Sequence, residues 1–203
     1  MKHFSLLTLV TALVLFAVQA ATAASGAYNV WVNTGELLGQ SGYVDFQFNP
    51  GNDSQNASAT LLNFNSYGGT LGAVDRIGGV TGTLAGPVTF TNQAQVNDYF
   101  QAVTFGSHLS FTIDAPVGSG SSFGFGMFDA ASAPVLTIDP NGFAILLDYN
   151  SDNSTQFTLF PKEIGGSSLV STSAVPEPST FALLGLGLAG AALLRKKEKI
   201  CKQ

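Results

Sequence analysis

The chain has 203 residues, of which 10% are charged, and its formal net charge is −5. That figure hides an acidic body: between Ala24 and Ala174 the bases are Arg76 and Lys162, set against eleven carboxylates, a local net of −9. Such a body has no basic patch to neutralise phosphates, which argues against nucleic acid as a partner. The single cysteine, Cys201, excludes a disulfide framework.

Residues 1–24 read as a secretory signal peptide. Lys2 supplies the positive start, Leu6–Val18 the apolar run, and Ala21-Thr22-Ala23 a small-residue cleavage site. Residues 25–164 form the expected exported domain, a succession of short alternating runs separated by turn residues. In YVDFQF, Val44, Phe46 and Phe48 share one face and Asp45 and Gln47 the other; SHLSFTID and SSFGFGMF repeat the pattern. Asn49-Pro50-Gly51-Asn52 and Asp139-Pro140-Asn141-Gly142 are turn sequences, the latter joining a strand over Pro134–Ile138 to one over Phe143–Tyr149. Phe143–Leu147 is apolar on both faces and reads as a central strand. Glycines 68, 69, 72, 78, 79 and 82 break up a glycine-rich stretch, and Gln93–Gln101, with Asn92 as its cap, is the one helical candidate in the body. Short strands at this spacing predict an all-β fold, an antiparallel β-sandwich with jelly-roll-like character.

Few residues in the body suit catalysis. His108 is its one histidine and reads as a surface or edge residue, so a zinc site lacks ligands. Gly120-Ser121-Ser122-Phe123-Gly124 matches G-x-S-x-G, but a Gly/Ser loop leading into a strand is not the strand–turn–helix that a nucleophile elbow needs. Aspartates are plentiful, yet no spacing selects a glycosidase pair. Asp148, Asn150 and Asp152 place oxygen ligands at alternate positions of a candidate calcium turn. Asn153 and Leu159 stand where an EF-hand needs glycine and glutamate, so a polar hairpin loop is the competing reading and no cofactor is expected. Trp31 lies between Asn29 and Asn33, opposite the apolar Tyr28, Val30 and Val32, and Tyr43 shares a face with Asp45. Aromatics on otherwise polar faces can act as platforms for sugar rings, with amides and carboxylates bonding the hydroxyls. Trp31, Tyr43, Asn29, Asn33 and Asp45 are therefore the candidate carbohydrate-binding residues, unless a loop covers Trp31.

Residues 165–174, GGSSLVSTSA, read as a flexible linker spanning roughly 18 Å. Its expected role is to hold the body clear of the membrane. Residues 175–203 have three parts in fixed order. Val175-Pro176-Glu177-Pro178 is stiff and extended, because proline fixes its own φ and restricts the residue before it. An apolar run over 179–194 follows, about 24 Å long as a helix, slightly short of a ~30 Å hydrocarbon core. Arg195, Lys196 and Lys197 then form a basic cluster that should stay cytoplasmic, leaving everything before the run outside.

This order resembles the PEP-CTERM sorting signal of exported bacterial proteins. The tail departs from the usual pattern at Glu198 and in its Ile-Cys-Lys-Gln ending. The body, with YVDFQFNPG followed by strands and glycine-rich loops, resembles other β-rich bodies exported with this tail, and the same segment occurs on proteins named for ice binding. The resemblance implies recognition of the motif by an exosortase-type membrane peptidase, transient anchoring in the inner membrane, and delivery to the cell surface or the extracellular space, alongside exopolysaccharide. The expected function is a non-catalytic surface or matrix protein; a lectin-like module or a carbohydrate-active enzyme is the alternative.

Overall fold

The computed structural model describes residues 26–160 and 170–175, together with Gly185 and Gly187. The signal peptide expected over 1–24, Pro176–Pro178, the basic cluster and all of the apolar run except two helical glycines lie outside the described residues. Among the described residues no helix is long and apolar enough to cross a membrane.

The body is an antiparallel sandwich, as the alternation predicts. One sheet has the order β12-β1-β8-β3-β6-β5, the other β11-β10-β9-β2-β7-β4. The first comprises β1 (Tyr28–Asn33), β3 (Ser58–Asn65), β5 (Val80–Gly82), β6 (Val88–Thr91), β8 (His108–Asp114) and β12 (Val170–Ala174). The second comprises β2 (Ser41–Pro50), β4 (Thr70–Ile77), β7 (Asp98–Thr104), β9 (Ser121–Asp129), β10 (Phe143–Tyr149) and β11 (Thr155–Leu159). Alternation sends one apolar row of each strand inward. Phe46 and Phe125 from one sheet meet Phe111 from the other at the centre, the three ring centroids 5.0–5.2 Å apart. The Phe46 and Phe111 rings stand edge-on at 90°, the arrangement that pairs a positive ring edge with a negative face.

Polar bonds tie the sheets together at the margins. Asn92 and Asn97 are both buried. Asn92 accepts from the Ala57 N–H and donates to Gln55 O and the Ser121 hydroxyl. Asn97 accepts from the Gly79 N–H and donates to Phe48 O and Ala94 O. At one margin Arg76 of β4 donates to Gly82 O of β5. At the other the Tyr149 hydroxyl of β10 donates to Gly26 O, just ahead of β1.

Three expectations are corrected. Gln93–Gln101 is not a helix: Asn92 and Asn97 spend their amides on distant loops, and β7 begins at Asp98. Pro134–Ile138 is not a strand, because Pro134 has no N–H to donate and Leu136 adopts a left-handed φ of 58°. The Asp139–Gly142 turn is present, with the Gly142 N–H donating to Asp139 O at 3.0 Å. The last correction concerns the linker. Its residues 170–174 form β12, paired with β1 from Tyr28↔Ala174 to Val32↔Val170, while 165–169 lie outside the described residues. Val170 aside, short polar side chains leave that segment little to bury, but main-chain pairing does not need buried side chains. Phe143–Tyr149 is an interior strand between β9 and β11, as expected.

Candidate functional site

β1 buries Val30 and Val32 and exposes Asn29, Trp31 and Asn33. Register then decides what flanks them. Trp31 lies opposite Ser110 of β8 and Ser171 of β12, Asn29 opposite Thr112 and Ser173, and Asn33 opposite His108. Small hydroxyl residues on both sides leave the indole uncovered, and it remains 41% exposed. The ring is held from one end. His108 stacks on it with centroids 3.9 Å apart and planes 27° apart, and Tyr67 packs on His108 at 3.7 Å. The Ser107 hydroxyl, 2.8 Å from His108 Nδ1, fixes the imidazole. Tyr67 comes from a tight turn that donates the Gly69 N–H to Ser66 O. That turn presses on the backbone at Gly106, where a Cβ would overlap the carbonyl oxygens of Ser66 and Tyr67.

Beside this aromatic ledge runs a shallow groove of about 350 Å³, lined by Asn29, Trp31, Asn63, Ser110, Thr112 and the exposed side of β12. No lining residue carries a charge. Across its floor Asn63 Nδ2 donates to Thr112 Oγ1, which donates to Asn29 Oδ1 at 2.8 Å. Asn29 Nδ2 and Asn63 Oδ1 have no hydrogen-bond partner among the described residues, so a donor and an acceptor are left for a ligand. Aromatic faces beside paired amides and hydroxyls suit a neutral polyhydroxylated chain.

Tyr43 and Asp45 do not join this groove; they lie on the outer face of the other sheet. Tyr43 is stacked under Phe100, centroids 4.7 Å apart. Asp45 is buried, accepts from Gln47 Nε2 at 2.9 Å, and faces Asp98. Asp45 Oδ1 and Asp98 Oδ1 are both buried with no donor. Burial, then the neighbouring Asp98, push the Asp45 carboxyl up to about 8. Burial also raises Asp98, partly offset by its hydrogen bond with Asp45. Two such carboxyls cannot both ionise, so the pair holds a proton at neutral pH.

The candidate calcium residues are divided. Asp148 accepts from the Ser122 hydroxyl on the outer face of β10 and β9. Asn150 and Asp152 close the β10–β11 loop, where Asp152 accepts from the Ser154 N–H at 2.8 Å and Asn150 Nδ2 donates to the Ser154 hydroxyl. The Ser154 hydroxyl, then the Ser154 N–H, hold the Asp152 carboxyl below the usual range. Among the described residues no group of three or more His, Cys, Asp or Glu could hold a metal. Ser122 of the G-x-S-x-G match sits within β9, away from any strand-to-helix turn.

Val175 is the described residue of the sorting motif. Its N–H donates to Ala27 O at 2.8 Å, continuing the β12–β1 ladder to the residue before Pro176. Residues 174–197 match the family model of the PEP-CTERM protein-sorting motif. The chain carries a PEP-CTERM sorting signal. That motif implies export, membrane-associated sorting and processing by an exosortase, itself a membrane protein. No curated protein and no solved structure is significantly similar to the chain.

Tyr67, Asn63 and Ser171 were not singled out by the sequence. His108, Ser110 and Thr112 could have been, since strict alternation in HLSFTID puts them on one face. Tyr67 gave no signal, because it reaches the ledge from a turn.

Proposed function

We propose that the exported body is a non-catalytic protein of the cell surface or extracellular matrix that associates with exopolysaccharide through the Trp31 groove. The observation that carries this reading is the uncovered indole, stacked on His108 and set beside an uncharged row of amides and hydroxyls. The acidic body favours a neutral or cationic polymer over a polyanion, because like charges repel on approach. The non-catalytic reading is supported by the position of the proton-sharing carboxyls, which are buried on the other sheet from the groove.

The test is retention of the released protein on its host's own polysaccharide. Trp31→Ala should weaken retention by about tenfold or more, the loss typical of an aromatic anchor. Unchanged retention would discard the groove as a glycan site. Product released from a panel of glycans, and lost in Asp45→Asn, would instead establish an enzyme.

A further inference from the structure

The sorting signal begins inside the sandwich. The matched motif starts at residue 174, and Ala174 is the last residue of β12, opposite Tyr28. With β12 docked, the distance from Val175 to the apolar run is spanned by three residues, Pro176–Pro178, at most about 10 Å of extended chain. Stacked sheets are themselves about 10 Å apart, so a docked body would sit against the membrane surface, where the peptidase must close around the motif. Freeing the five residues of β12 adds roughly 17 Å.

The two strands of this pair are unequally held. β1 is bonded on its other side to β8 along its whole length, and its approach is fixed by the Gly26 N–H to Ala115 O bond and by the Tyr149 hydroxyl on Gly26 O. Among the described residues β12 lies at the edge of its sheet and pairs with β1. Val170 is its single buried side chain; Ser171, Ser173 and Ala174 are exposed. Main-chain bonds at an open edge are the part of a sheet that separates most readily.

We propose that β12 is a releasable strand: β1 and the sorting peptidase compete for it, so that it leaves the sheet for processing and redocks in the released protein. Redocking completes the groove, since Ser171–Ser173 form one wall of it. This second part rests on the glycan reading; the competition for the strand does not.

A reversible lock tests the competition in the full chain. Asn29 and Ser173 lie directly opposite, at the ~5.5 Å Cα separation of a hydrogen-bonded pair, within the range a disulfide spans. The variant Asn29→Cys/Ser173→Cys carries Cys201→Ser to prevent mispairing, and Cys201→Ser alone is the reference. Release from host membranes is followed by intact mass. The oxidised double variant should be released at least about tenfold more slowly than the reference, and dithiothreitol should restore release. Release of the oxidised form at the reference rate overturns the proposal. Ser171→Pro, which removes an N–H from the ladder, provides a second reading: release as fast as the reference or faster is expected, and slower release overturns the proposal. Retention of released Trp31→Ala on host polysaccharide reports separately on the groove, so either claim can fail alone.

Discussion

The two outer faces of the sandwich start from similar sequences and end differently. YNVWVN and GYVDFQ both set an aromatic among polar residues on the face away from the core. In β1 the neighbours of Trp31 are Ser110 and Ser171, too small to cover an indole. In β2 the neighbours of Tyr43 are Ala102 and Phe128, and Phe100 stacks across it. Gly124 on this face leaves room for the Phe143 ring, which a Cβ there would meet at 2.5 Å. One face thus keeps an open aromatic ledge, while on the other Phe100 stacks on Tyr43 and lies opposite the buried Asp45. Cross-strand partners decide whether an outward aromatic is a platform or part of a lid, and they are set by register, not by the strand's own sequence.

That contrast can be tested by substitutions of falling expected effect. Phe100→Ala strips the ring from Tyr43 and wets the carboxyl pair. It should cost about 2–3 kcal/mol in denaturant unfolding, with glycan retention unchanged. Asp45→Asn is next and reads the pair directly. The Asp45 carboxyl is raised to about 8 in the fold from an ordinary 3.8. Below about pH 4 it is neutral in both states; between there and pH 8 the unfolded chain ionises while the fold must keep the proton, so stability falls as pH rises. The asparagine amide can accept from Gln47 and donate to Asp98 with no proton to lose. Asp45→Asn should therefore match the parent at pH 4 and exceed it by on the order of 2 kcal/mol near pH 8; parallel pH curves would show that the parent pays no such cost. Trp31→Ala should change stability by less than about 1 kcal/mol while it weakens retention, the reverse of Phe100→Ala. The smallest effect belongs to Thr112→Val, which breaks the Asn63–Thr112–Asn29 row. A loss of retention of about two- to fivefold, roughly one neutral hydrogen bond, with an unchanged melting temperature is expected from binding and thermal scans.

The sandwich was legible because β2, β8 and β9 carry an apolar row at every second residue, strictest in β8, while β10 read as an interior strand from being apolar on both faces. β4 lacked that signal: as an edge strand it exposes nearly every side chain, and TLGAVDRI shows no alternation. β12 was hidden for the same reason, with VSTSA held by its backbone and Val170. Gln93–Gln101 misled because amide-rich runs suit helices, whereas Asn92 and Asn97 here serve as buried brackets between loops. At the site, Trp31 and Asn29 were readable from β1 alone, whereas Asn33 lies outside the groove and accepts from the Gly35 N–H. Separating Tyr43 and Asp45 from them required the sheet assignment, and Tyr67 required the fold of a turn packed against Gly106.

Pairing Tyr28 with Ala174 also has a mechanical consequence. Both ends of the folded body leave it at one corner, side by side. Tension applied at Gly26 and Val175 therefore loads the β1–β12 seam directly, and the ladder opens one rung at a time from Val175 towards Val170. The three crowded phenylalanines at the centre lie off the line of load. Drag on a tethered copy would open the seam at low force and leave the rest of the sandwich intact.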